Sequence, residues 1–268
     1  MKLIIDSAIF NQLDLYGALQ HIAWAGYEGV ELACLANWAR HIELNTKKSY
    51  LDEVKATAKK HNLELSAIHP DVGVLPGEDK ILSMMTMFEI AQKLNIPIIA
   101  IRSGGKSDDK EAMKEEIKYL KTLTKGAEDR GVTLALNPHT GGSIYNTATV
   151  LTLLDEIDSP GLGIIMDPRE LTKAGDNPLT FISKINKKIV HTHFRDLPRG
   201  QYEATPEEQI VGRGSLPFPE ILKALKKIGY NRDIDVLMIG AFTFPLSKQM
   251  GLAAECRGYL NRCLRELK

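Results

Sequence analysis

The stretch "GVTLALNPHTGG", Gly131–Gly142, decides how this chain is read. Val132 to Ala135 are apolar or β-branched and read as a buried strand. A period of two gives Val132, Leu134 and Leu136 one face and Thr133, Ala135 and Asn137 the other. A helical stretch, Asp109–Arg130, runs into this strand across a tight turn at Arg130 and Gly131, and another, Ala148–Ile157, follows it. The far end of the strand opens into Gly-rich coil, with Asn137, Pro138 and His139 at its lip. Helix, strand and helix in this order describe a βα unit of a parallel sheet.

Outward from this unit the same pattern recurs. Strands are expected at Lys2–Asp6, Gly29–Ala33, Leu63–His69, Ile96–Arg102, Val132–Asn137, Leu162–Asp167, Ile189–Phe194 and Asp235–Gly240. Helices are expected at Asn11–Ala25, Tyr50–His61, Lys80–Leu94, Asp109–Arg130, Ala148–Ile157, Pro178–Ile185, Phe218–Ile228 and Leu246–Leu267. Eight βα units in about 250 residues predict an α/β protein built as a closed (β/α)8 barrel. Residues 1–268 then form a single TIM-barrel domain, since barrels of this size are not split. Helix-to-strand turns are short, whereas the strand-to-helix segments Cys34–Lys48, Pro70–Asp79 and Phe194–Pro217 are long. In a barrel those long loops build the functional face.

Composition narrows the function classes. The chain is 44% hydrophobic and 25% charged, as expected of a globular protein with a large core. Lys+Arg and Asp+Glu balance at 34 each, which argues against an electrostatic nucleic-acid binder. The three cysteines, Cys34, Cys256 and Cys263, contain no Cys-x-x-Cys spacing, so neither a disulfide framework nor a zinc ribbon is expected. "MKLIIDSAIF" reaches Asp6 too early for a signal peptide, and no apolar run approaches the ~18 residues of a membrane span. The expectation is a cytoplasmic protein without a membrane partner.

Reactive side chains gather at one rim. Of seven histidines, His69, His139, His191 and His193 lie at or just beyond the ends of the third, fifth and seventh strands. Strand parity turns Asn137, Asp167, His191, His193 and Arg195 inward and Val190, Thr192 and Phe194 outward. His191, one layer deeper, reads equally as a core histidine. On the eighth strand parity separates Val236, Met238 and Gly240 from Leu237 and Ile239 without saying which set faces in. In "MDPRELTKAGDNP", Met166–Pro178, Asp167 and Glu170 stand three apart. With His139 and His193 they could hold a divalent cation, or act as base and acid without one. The alternative is that Asp167 caps the next turn and Glu170 is solvated. Arg195 could bind an oxyanion or pair with Asp196 at the surface. Arg102 is a candidate anion contact, and Arg213, in "GRGSLPF", a second one at a helix start.

Several segments together resemble a known family. "AGYEGVELA" (Ala25–Ala33), "GVTLALNPH", "MDPREL", "VHTHFRD", "GRGSLPFPEILKALKKIGY" and "DVLMIGAF" resemble, in order and spacing, the xylose isomerase-like TIM-barrel superfamily. That superfamily includes sugar isomerases and epimerases, inosose-processing enzymes and endonuclease IV. The resemblance implies one divalent metal held by Glu, Asp, His and Glu at the ends of strands five to eight. Those places fall on Asn137, Asp167, His193 and Gly240, so only Asp167 and His193 remain as metal ligands. The family's Asp-x-x-His reads Asp167-x-x-Glu170 here. Both missing glutamates are also the family's usual acid–base pair.

The implied function is a sugar isomerase/epimerase-like enzyme. It would act by enolisation or proton transfer on a small sugar, keto-sugar or polyol, with an atypical metal site. Glu170 or His139 would be the catalytic base. His69, Arg102, Asn137, Arg195 and Arg213 would bind substrate, and Mn, Zn or Mg is the divalent ion that Asp167 and His193 could hold. Two alternatives stay open: a lyase or dehydratase acting on a keto-sugar without metal, and a non-catalytic sugar-binding barrel subunit. An endonuclease would need a three-metal ligand set absent from the sequence. The expected partner is a small carbohydrate, with neither nucleic acid nor membrane, in a homo-oligomer or as a complex subunit.

Overall fold

A computed structural model describes residues 1–36, 38–71, 79–201 and 203–267. Its strands are β1 (Leu3–Asp6), β2 (Gly29–Leu35), β3 (Ala39–Arg40), β4 (Glu64–Asp71), β5 (Ile98–Arg102), β6 (Thr133–Asn137), β7 (Leu162–Met166), β8 (Ile189–Thr192) and β9 (Ile234–Val236). All but β3 pair in parallel, in the order β8-β7-β6-β5-β4-β2-β1-β9. The two ends of that order meet just past β8. Phe194 N–H donates to the Asp235 carbonyl at 2.7 Å, and Leu237 N–H donates to the Phe194 carbonyl at 3.2 Å. The sheet is thus the expected (β/α)8 barrel, with helices in the connections between its parallel strands.

The helices are α1 (Leu15–Trp24), α2 (Lys48–Lys60), α3 (Lys80–Leu94), α4 (Lys110–Glu128), α5 (Thr147–Glu156), α6 (Pro168–Lys173), α7 (Pro178–Ile185), α8 (Phe218–Lys227) and α9 (Leu246–Glu266). Side chains of Asp14, Asp79, Asp109, Asn146 and Asn177 accept backbone N–H bonds at the starts of α1, α3, α4, α5 and α7. Each such cap is worth about 1 kcal/mol. The short α6 is not anticipated by the sequence pattern. It opens on Asp167, whose Oδ1 accepts from the backbone of Arg169 and Glu170, with Pro168 at its first position. No described helix is long and apolar enough to cross a membrane.

Three departures from the expected elements matter for the site. First, β2 runs on to Leu35 and folds back on β3, inside what reads as the loop Cys34–Lys48. Second, β9 stops at Val236. Gly240, at φ 85°, starts a short turn over Ala241–Thr243 that a strand cannot follow. Third, the register slips between Ile164 and Ile165 of β7 opposite β8. Val190, expected to face outward, therefore packs inward on the barrel floor beside Gly163. Most of the expected loop Pro70–Asp79 lies outside the described residues.

Apolar packing forms two main layers, with a small cluster of Ala8, Ala33, Leu35 and Ala39 beside the β2–β3 hairpin. The larger one lies between barrel and helices and includes Leu134, Leu136, Ile164, Phe181, Phe194 and Phe218. Inside the barrel, Ala67, Ile98, Ala100, Ala135 and Ile165 make a small dry floor. These side chains are short, and at full burial they leave the upper half of the barrel to polar groups. Cys34, Cys256 and Cys263 are free thiols buried in the apolar packing.

Candidate active site at the barrel mouth

Above the floor, the strand ends carry polar side chains into a cavity of about 290 Å³. His69 from β4, Arg102 from β5, Asn137 from β6, His139 just beyond it, and His193 and Arg195 beyond β8 line its polar wall. The apolar wall includes Leu35 and Trp38 on the β2–β3 hairpin and Leu237 and Ile239 after β9. Strand nine is thereby oriented: Leu237 and Ile239 face in. The inward residues there are apolar, and Gly240 sits at the turn.

A chain of buried ionic contacts runs around the mouth. Asp167 Oδ2 accepts from Arg195 Nη2 at 3.1 Å and Nε at 3.3 Å. Arg195 Nη2 also donates to Glu170 Oε1 at 3.0 Å, and Arg169 Nη1 donates to the same oxygen at 2.8 Å. Glu170 Oε2 accepts from Thr140 Oγ1 at 2.7 Å and Thr140 N at 3.2 Å. Glu170 is therefore a fully engaged buried carboxylate rather than a solvated one. Burial opposes the Asp167 anion, but Arg195, His193 and the hydrogen bonds from the Glu170 backbone and Asn137 together outweigh it and hold the carboxyl below its ordinary range. Burial likewise opposes the Arg195 cation, and Asp167 and Glu170 more than restore it.

His139 stands between this network and the cavity. Its side chain keeps 32% of its surface open, and Nε2 lies 3.9 Å from Glu170 Oε2. Burial pushes its pKa down despite the attraction of Glu170. His69 is anchored by Asp6, whose Oδ2 lies 2.8 Å from Nδ1. Burial works against the His69 cation, but the Asp6 hydrogen bond and the Glu31 charge outweigh it and raise its pKa. Two imidazoles on one cavity are thus pushed apart, one towards the base form and one towards the acid form.

Asn137 Nδ2 lies 3.3 Å from Asp167 Oδ2 and 3.2 Å from His193 Nδ1. The positions that the family resemblance gives to a cation do not fit one. The amide of Asn137 fills the gap between Asp167 and His193, Arg195 already neutralises Asp167, and the segment after β9 brings only Leu237 and Ile239 to the mouth. Arg213 pairs with Glu255 of α9 at 2.6 Å, away from the cavity lining. Arg195 does not pair with Asp196. Asp196 instead accepts backbone N–H bonds from Leu197, Gly212, Gly214 and Leu216 and folds the "GRGSLPF" loop beneath the mouth.

One layer deeper lies a set of charges that the sequence reading missed in part. Glu31 Oε2 is 3.0 Å from His193 Nε2, and Glu31 Oε1 is 3.2 Å from His191 Nε2. Asp235 Oδ2 lies 3.6 Å from His191 Nε2 and 3.8 Å from His193 Nε2. All four residues are buried. Burial opposes the Glu31 anion, but His193 and His191 beside it hold its pKa well below the ordinary range. Burial and the neighbouring Glu31 push Asp235 well above it. Burial also lowers His193. Strand parity could have placed Glu31 inside, between outward Val30 and Leu32, and Asp235 on the face of Leu237. Asp6, at the end of β1, gave no comparable signal.

Residues 19–242 match the family described as xylose isomerase-like TIM barrel. The chain is similar to a D-psicose 3-epimerase of Enterocloster bolteae, 26% identical over 79% of this chain and 72% of that protein. An inosose dehydratase of Lacticaseibacillus casei is 23% identical over 42% of each chain. Among solved structures, one described as IOLI protein with a binding zinc atom superposes with TM-score 0.77 at 19% identity, covering 96% of both chains.

Proposed function

Because the chain belongs to the xylose isomerase-like TIM-barrel family, we propose that it is an enzyme moving protons on a small sugar, keto-sugar or polyol in the mouth cavity. The observation that carries this reading is His139, an imidazole on the cavity wall that burial holds in its base form beside the Glu170 carboxylate. His139 takes the proton from the carbon next to the substrate carbonyl. Glu170 is a positioning residue, because Arg195, Arg169 and Thr140 already occupy both its oxygens. At 3.9 Å its charge steadies the imidazolium that forms. Arg195, and Arg102 at the rim, meet the oxyanion of the enolate. Asn137 offers its amide to a substrate hydroxyl, and Asp167 fixes Arg195. Arg213 has no part in this reading.

His69 returns a proton. Delivered to the opposite face of the same carbon, it completes an epimerisation. Delivered to a departing β-hydroxyl, it completes a dehydration. The epimerase and dehydratase names of the relatives support this substrate class and leave both outcomes. No step runs through a cation at the family position, which Arg195 and Asn137 fill; the deeper Glu31–Asp235 set is where Zn or Mn would fit. The test is hydrogen–deuterium exchange at the carbon beside the carbonyl, with keto-hexoses and inososes in D2O. Exchange that His139→Ala abolishes supports the reading. No exchange with any of these substrates overturns it.

A further inference from the structure

We propose that Glu31, His191, His193 and Asp235 form a cation site for zinc or a similar divalent transition ion below the mouth cavity, sharing His193 with the family position but none of its other ligands. Four observations carry it. Oxygen or nitrogen atoms of all four residues lie within 4.8 Å of one another. His191 and His193 Nε2 stand 3.2 and 3.0 Å from the two Glu31 oxygens and 3.6 and 3.8 Å from Asp235 Oδ2, close to the ~3.4 Å ligand–ligand spacing of a tetrahedral ion with ~2.0–2.1 Å bonds.

The second observation is missing partners. Both Asp235 oxygens, Glu31 Oε1 and His191 Nε2 are buried without a hydrogen-bond partner. The 3.2 Å approach of Glu31 to His191 is close but does not align as a hydrogen bond. Groups left so cost about 1–3 kcal/mol each. A cation at their centre would engage them together.

The third is charge. Among the described residues no lysine or arginine forms a salt bridge with Glu31 or Asp235, whereas Asp167 and Glu170 have Arg195. Two carboxylates, two neutral imidazoles and a 2+ ion sum to zero, the condition for keeping charge in a dry interior. The fourth is donor chemistry: two imidazole nitrogens and two carboxylate oxygens suit Zn, Co or Mn rather than Mg or Ca. With four protein ligands the site is closed, and its ion would act as a strut. It would lock β2, β8 and β9 together and fix His193 under Asn137.

The experiment uses tag-free full-length protein, stripped with chelator and titrated with Zn(II) and Co(II). The expected result is about one ion per chain, a tetrahedral Co(II) visible spectrum, and a fall in Tm on stripping. Asp235→Asn and His191→Gln should each weaken uptake at least tenfold, while Asp167→Asn should keep it. Wild-type protein that takes up neither ion overturns the proposal. So does loss of the ion in Asp167→Asn with retention in Asp235→Asn. Should both ligand variants fail to fold, a wild-type Tm and Co(II) spectrum indifferent to chelator overturns it as well. Metal content and spectrum are read without any sugar, so failure here and failure of the proton-transfer reading are distinguishable.

Discussion

At the scale of single residues, the proposed reaction divides the mouth between His139 for proton transfer and Arg195 for charge. Because burial lowers the His139 pKa from 6.5, its base form persists into mildly acid solution. The rate of substrate deuterium exchange should therefore fall only as pH drops below 6.5. A kcat/KM pH profile reads this, and His139→Ala should lose that limb together with about 10²–10⁴-fold in rate. An acid limb that survives in the variant would place the base elsewhere. Arg195 answers two buried carboxylates at once. Arg195→Met should cost about 3–5 kcal/mol in urea unfolding, since Asp167 would be left buried without its cation while Glu170 keeps Arg169 and Thr140. The wild-type pairing also carries a pH signature. Asp167 is held below its ordinary 3.8, so its contribution is present above that value and is lost as pH falls through the lower folded value. Acid titration of stability should show that loss in the wild type and not in Arg195→Met.

At the scale of elements, the meeting of β7 and β8 shows what a period of two can and cannot read. Parity correctly turned Asp167, His191 and His193 inward. It failed at Val190, because the slip opposite Ile164 and Ile165 inserts a residue that no side-chain pattern marks. The slip is accommodated by Gly163, where an added Cβ would stand 2.2 Å from Val190 Cγ2. Gly163→Ala should destabilise the barrel by about 1–3 kcal/mol through overpacking. Val190→Ala should recover much of that loss, and a double-mutant cycle by urea unfolding should return a favourable coupling. Additive single effects would mean that the floor relaxes elsewhere. The helix α6 was invisible for a different reason. Its six residues are too few for a periodic stripe, and only the Asp167–Pro168 start announces it.

At the scale of the whole molecule, barrel class was legible because eight repeats of one unit leave few other ways to bury both faces of each strand. The deep cluster was not, because its members stand at positions 6, 31, 69, 191, 193 and 235 and only ring closure makes them neighbours. Parity can send each side chain inward, but adjacency of β1, β2, β8 and β9 is a property of the closed sheet. The last helix seals the ring from outside. Tyr27 donates to the Ala253 carbonyl at 2.8 Å, and Arg257 Nε donates to the Gly26 carbonyl at 2.8 Å, tying α9 to the turn before β2. Cys256 lies under this clasp, and burial pushes its thiol up to about 12. Thiol titration should find Cys34, Cys256 and Cys263 slow to react in the native state and all three reactive after denaturation, in a single step if the ring opens cooperatively. A native Cys256 reacting at the free-thiol rate would show that α9 peels away on its own.

The β2–β3 hairpin sets one wall of the cavity with Leu35 and Trp38, yet none of the cavity-lining histidines sits on it. This part of the apolar wall and the cavity-lining imidazoles are therefore carried by different segments of chain. Natural variation or laboratory recombination confined to that hairpin could change which substrate shape is admitted while the reactive imidazoles stay in place.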